Sequence, residues 1–88
     1  MPYRVEVSPA AGRDLRRLPA QVRDRLEPVI MALGEEPRPH GVRKIKGAEH
    51  AYRVRQGDYR VVYEVYDDEQ LVVILYVGRR NEGTYRRM

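Results

Sequence analysis

The sequence predicts an α+β fold: an N-terminal strand, a helical hairpin packed on one face of a mostly antiparallel four-stranded sheet, and a short C-terminal helix or tail. Three observations carry this. Apolar residues recur at helical spacing between Pro9 and Leu33. From Val42 to Val77 the chain instead breaks into short segments rich in Val, Ile and Tyr. The 88 residues contain no repeat, low-complexity tract or linker, so residues 1–88 are read as one domain with one modest core.

Each element has its own signal. Tyr3 to Val7 alternates, with Tyr3, Val5 and Val7 on one side of a short strand. Ser8-Pro9 starts a helix, with Ser as N-cap and Pro at the first helical position. Ala11, Leu15 and Leu18 form its apolar stripe. A second helix runs from about Ala20 to Leu33, with Val22, Leu26, Val29, Ile30 and Leu33 on one face. Pro28 predicts a kink or break inside it, and Gly34 a C-cap. Glu35 to Gly41 holds two prolines and reads as a loop. Val42 to Lys46 is short, basic and β-like. Tyr52 to Arg55, Tyr59 to Tyr66 and Leu71 to Val77 are the stronger strands, with an acidic turn, Asp67-Asp68-Glu69, between the last two. On the last strand Leu71, Val73, Leu75 and Val77 are expected to point one way, and Val72, Ile74 and Tyr76 the other. Both faces are apolar, which marks a central strand or one covered on both sides.

Composition narrows the chemistry. There are no cysteines, which removes disulfides and thiolate metal sites and fits a reducing cytoplasm. No apolar run is long enough for a membrane helix, and the N-terminus lacks the apolar block of a signal peptide. The net charge of +4 is uneven: residues 43–88 carry 10 basic and 7 acidic side chains, against 7 and 6 in residues 1–42. This favours an anionic partner, nucleic acid first, although solubility alone would also explain it. His40 and His50 lie in expected loops without clustered carboxylates, so a metal site is not expected. P-loop, GxSxG and dinucleotide motifs are absent, and Ser8, the only serine, is used as a helix cap.

The stretch YRVRQGDYRVVYEV, residues 52–65, holds the informative pattern. A two-residue primed turn at Gly57-Asp58 pairs Arg55 with Arg60, Val54 with Val61 and Arg53 with Val62. One face then carries Tyr52, Val54, Tyr59, Val61, Tyr63 and Val65, fit to be covered by helices. The other carries Arg53, Arg55, Arg60, Val62, Glu64 and Tyr66. Like charges directly opposite cost up to about 1 kcal/mol on a sheet. Either Glu64 or another acid neutralises them, with arginine stems covering apolar sheet, or the face binds phosphates through guanidinium forks. The last strand adds Arg79 and Arg80 after Gly78, and the tail adds Tyr85, Arg86 and Arg87.

A site of Arg, Lys and Tyr can cleave RNA without a metal. Fixed arginines stabilise charge on the phosphorane formed by 2′-OH attack. They cannot take a proton, but a tyrosine whose pKa they lower could, and Tyr85 is the candidate.

KIKG (44–47), YRVRQGDYRVVYEV (52–65) and VGRRNEGTYRR (77–87), with SPAAGRDLRRLP in the first helix, resemble the RelE branch of the RelE/ParE toxin superfamily over essentially the whole chain. The resemblance implies a type II toxin that cuts mRNA in the ribosomal A site. Its partners would be a cognate RelB-like antitoxin and the 70S ribosome with its mRNA, with no membrane and no cofactor, in the cytoplasm. Residue by residue it places catalytic roles at Arg53, Arg55, Arg60, Arg80 and Tyr85. Lys44, Lys46, Arg79 and Arg86 are expected to bind RNA. The first two positions are lysines in the best-known members and arginines here. An arginine is the poorer base, so Tyr85 takes that role, or activity is reduced, or the lysines serve only as charge. A ParE-like inhibitor that binds DNA gyrase without cleaving RNA, or a basic binding domain without catalysis, would share the fold.

Overall fold

The computed structural model describes residues 2–79. In chain order it contains β1 (Arg4–Val7), α1 (Pro9–Arg17), α2 (Ala20–Ala32), β2 (Arg43–Lys44), β3 (Ala51–Gln56), β4 (Tyr59–Tyr66) and β5 (Leu71–Arg79), with a turn of 3₁₀ helix at Asp67–Glu69. The strands form one sheet in the order β1-β5-β4-β3-β2. β1 runs parallel to β5 and the remaining pairs are antiparallel. The sheet therefore has five strands, not four: the short basic segment adds a two-residue edge strand, with Arg43 opposite Arg53 and Lys44 opposite Tyr52. The expected C-terminal helix or tail lies outside the described residues.

Helix α1 begins as its sequence dictates. Ser8 Oγ accepts from the Ala11 N–H at 3.1 Å, and Pro9 occupies the first turn, where its missing N–H costs nothing. The Ser8 N–H donates to the Ile74 carbonyl at 3.0 Å, so the cap also ties the helix to β5. Helix α2 runs unbroken through Pro28. The bond lost there would have reached the Asp24 carbonyl. Both residues are exposed, so the missing bond falls on the solvent side of the helix. Leu26, Ile30 and Leu33 are buried from this helix, and Ala11 from α1.

Gly34 does not cap α2 through a left-handed conformation. It is needed for close approach: a Cβ there would lie 2.8 Å from the Tyr3 carbonyl oxygen and 3.1 Å from Val5 Cγ2. The Gly34 carbonyl accepts from the Tyr3 N–H at 2.7 Å, locking the start of β1 to the end of the helical pair. Tyr3 and Val5 join the core from β1, while Val7 stays 45 % exposed at the sheet margin.

The hairpin forms in the expected register, with Arg55 opposite Arg60, Val54 opposite Val61 and Arg53 opposite Val62. Gly57 takes φ +60° while Asp58 keeps a negative φ, the pattern of a II′ turn. Val61, Tyr63 and Val65 pack under the helices, with Tyr52, Val54 and Tyr59 partly buried beside them. On β5 the expected alternation fails after Ile74. Tyr63 pairs with Ile74 but Val62 with Tyr76, leaving Leu75 as an extra residue. This bulge reverses the parity, so the core takes Val72, Ile74 and Val77. Tyr76 and Gly78 then fall opposite Val62 and Arg60 on the other face.

Candidate functional site

The face of the sheet away from the helices carries two rows of paired positions. One runs Arg43, Arg53, Val62, Tyr76 across β2, β3, β4 and β5. The next runs Arg55, Arg60, Gly78. Neighbouring strands are about 4.8 Å apart, so four guanidinium groups start from adjacent positions. Arg43 and Arg55 are exposed and Arg53 is half-buried. Arg60 stands in the middle strand at 4 % exposure, beside the fully buried Val62. Gly78 opposite it has no side chain, which leaves room for the arginine stem. Arg55 and Arg60 are both engaged in interactions within the chain.

Glu64 does not neutralise this cluster. Its Oε1 accepts from the Tyr66 hydroxyl at 2.8 Å, toward the far end of the same face. That bond favours the neutral phenol and raises the Tyr66 pKa. His50 leans on the Tyr66 ring there, with centroids 4.9 Å apart.

The structure brings Arg53, Arg55 and Arg60 together, as the hairpin register requires. It does not bring Lys44, Lys46 or Arg79 to them. Lys44 pairs with Tyr52 and so takes the helix-side face. Lys46 sits in the turn between β2 and β3, which joins β3 at the end remote from Arg55. Arg79 pairs with Tyr59 and lies over that ring, its Cζ 5.7 Å from the centroid, also on the helix side. Arg80, Tyr85 and Arg86 lie outside the described residues. Arg43 is the residue that the sequence reading missed. Its signal was the pairing of a two-residue strand, which the pattern of Val42 to Lys46 does not reveal.

On the helix side, a polar network closes the proline loop over the sheet. Arg38 grips Asp67 with both terminal nitrogens, at 3.2 and 2.8 Å, and donates from Nε to the Tyr52 hydroxyl at 3.1 Å. Its guanidinium lies 5.2 Å from the Tyr52 ring centre. The Tyr3 hydroxyl donates to the same carboxylate at 2.6 Å. The Arg38 and Tyr3 bonds hold Asp67 below the usual carboxylate range, and the bond to Asp67 raises Tyr3. Tyr63 donates to the Pro37 carbonyl at 2.7 Å, and burial, with Tyr52 nearby, raises its pKa. Tyr3 and Tyr63 serve the fold, because a raised pKa is the wrong direction for a base near neutral pH.

A family model described as ParE toxin of type II toxin-antitoxin system, parDE, matches residues 5–83. The chain belongs to the ParE toxin family. Within it, the relatives are RelE-like. The toxin RelE of Mycobacterium tuberculosis is 36 % identical over 86 residues, covering 97 % of this chain and 88 % of its own. The mRNA interferase toxin RelE of Escherichia coli is 30 % identical over 85 residues, covering 94 % and 88 %. Among solved structures, RelE in the archaeal RelE–RelB complex from Pyrococcus horikoshii superposes with a TM-score of 0.81 at 32 % identity, over 93 % of this chain and 99 % of that one. This RelE-like toxin thus shares its α+β fold with them. No helix among its described residues is long and apolar enough to cross a membrane.

Proposed function

We propose that this toxin is a ribosome-dependent endoribonuclease that cuts mRNA in the A site and is held inactive by a RelB-like antitoxin. The observation that carries the reading is the arginine face, with Arg43, Arg53, Arg55 and Arg60 on adjacent positions of three strands. The E. coli relative is named an mRNA interferase, and the P. horikoshii structure is a complex with its antitoxin.

In this mechanism the RNA 2′-oxygen attacks the adjacent phosphorus and the P–O5′ bond breaks, leaving a 2′,3′-cyclic phosphate and a 5′-hydroxyl. The 2′ proton goes to a base, the role given to Tyr85, and the leaving oxygen takes a proton from an acid. Arginines bond the non-bridging oxygens more strongly as charge accumulates there, which lowers the barrier without any change in the arginines themselves. No metal enters these steps, because guanidinium groups supply the positive charge. The cytoplasm is the compartment this substrate implies.

The matching family model is named for ParE toxins, and the alternative, a ParE-like inhibitor that binds DNA gyrase, needs no nuclease site. The test adds the purified chain and its Arg60→Ala, Arg80→Ala and Tyr85→Ala variants to programmed ribosomes. Cuts at a fixed codon position, reduced about 10²- to 10³-fold in the variants, are expected. Intact mRNA together with trapped gyrase–DNA complexes would replace this reading with the alternative.

A further inference from the structure

On the opposite side of the same stretch of β5 lies a cavity of about 360 Å³, between the last turn of α1 and the end of the strand. That volume is in the ordinary range for a small-molecule site. Asp14 and Arg17 reach it from α1, Tyr59 from β4, and Tyr76, Gly78 and Arg79 from β5. Gly78 is therefore shared: it borders the cavity and also stands opposite Arg60 in the arginine rows. β1 pairs with β5 only as far as Ile74. Beyond it the strand edge carries no strand partner among the described residues, and this edge of β5 lies between the arginine face and the cavity.

Each group in the cavity matches part of a nucleotide. The Tyr59 ring, with the Arg79 guanidinium over it, makes a flat surface of the kind on which unpaired bases stack. Arg17 is exposed and carries charge for a phosphate. Asp14 uses Oδ2 to accept from the Val77 N–H at 3.0 Å, and its second oxygen remains an acceptor for an amino group on a base edge. We infer that this cavity holds one unpaired nucleotide next to a phosphate bound on the arginine face, and that Asp14 favours bases bearing an exocyclic amino group (adenine, cytosine, guanine) over uracil, which offers only its N3–H. The inference rests on the RNA-cleaving reading above.

Fluorescein-labelled 2′-O-methyl tetranucleotides test it, since the blocked 2′ oxygen prevents cleavage. One position is varied through the four bases and binding to the whole chain is read by anisotropy. The native chain is expected to favour the three amino-bearing bases about tenfold over uracil, the scale of one base-edge contact. Asp14→Asn still offers an oxygen to the Val77 N–H but replaces the second acceptor with a donor, so the preference against uracil should vanish or invert. Arg17→Ala should weaken all four about fourfold at about 0.15 M salt. Equal affinity for the four bases in the native chain, no binding at all, or an unchanged preference in Asp14→Asn would overturn the inference. Should Asp14→Asn not fold, Arg17→Glu at its exposed position decides, and unchanged affinity in it overturns the cavity's role. Binding that is lost in Arg55→Ala yet unaffected by the Asp14 and Arg17 variants would leave the RNA reading standing without the cavity. A base preference moved by Asp14→Asn in a chain that cuts no mRNA on ribosomes would keep the cavity and remove the nuclease.

Discussion

The two residues of β2 offer a sharp separation of fold and function. Arg43 stands beside Arg53 on the arginine face, whereas its neighbour Lys44 stands beside Tyr52 on the helix side. Both are exposed, so replacing either with alanine should shift stability by no more than about 0.5 kcal/mol. Their effects on RNA should differ. Each phosphate contact to a single strand contributes about 0.7 to the slope of log affinity against log salt. Losing one contact at about 0.15 M salt then costs about fourfold in affinity and flattens the slope by about 0.7. Arg43→Ala should show both changes. Lys44→Ala should show neither, keeping its affinity within about twofold and its slope intact. The assay is a salt titration of a short 2′-O-methyl RNA followed by anisotropy, with thermal melts as the folding control. A loss in Lys44→Ala equal to or greater than that in Arg43→Ala would refute the assignment of the binding face.

Three further outcomes follow from the packing. Tyr63→Phe keeps the buried ring but strands the Pro37 carbonyl. A loss of about 1–2 kcal/mol is expected, lowering Tm by about 4–16 °C in a chain of this size, and an unchanged melt would remove this bond from the fold's support. Gly34→Ala must displace the Tyr3 carbonyl 2.8 Å from the new Cβ. It should destabilise by about 1–3 kcal/mol, and a higher Tm would show that β1 yields freely. Asp67 is held below its ordinary range by Arg38 and Tyr3. A depressed carboxylate contributes stability that is fully present above the unfolded-state value and is lost as pH falls through the folded-state value. The Tm gap between the native chain and Asp67→Asn should therefore be constant near neutrality and shrink in acid, and a gap constant through the acid range would contradict the network.

The hairpin was readable because its turn and its alternation agree. Gly57 supplies the one positive φ that the II′ turn needs, and period-two patterning then fixes which residues meet across it. Ser8-Pro9 was readable for a similar reason, since the cap and its proline are local chemistry. Four features were not local. The pairing of Arg43 depends on a two-residue strand set by the turn at Ile45–Ala48, where Gly47 takes φ +84°. The role of Gly34 depends on how closely β1 approaches. Arg79 was read with Arg80 as one pair of emerging charges, because an apolar run on both faces of β5 gives no hint of the extra residue at Leu75. The Arg38–Asp67 pair, in turn, joins a loop to a turn 29 positions later in sequence, with no shared periodicity to announce it.

The irregularity at Leu75 acts as a phase shifter between the two halves of β5. If Leu75 instead paired with Val62, every later residue of β5 would move one place along β4. Tyr76 would be driven into the packed layer against Val61, Val77 would press on Arg60, and Gly78 would face Tyr59. A slip of that kind should therefore do more harm than any single substitution there. It would interchange the two sides of the strand's last quarter, filling the hollow at Arg60 and emptying the seat that Arg79 occupies. Deleting Leu75, by contrast, leaves Tyr76, Val77 and Gly78 opposite Val62, Val61 and Arg60, so a chain one residue shorter at this point keeps the phase.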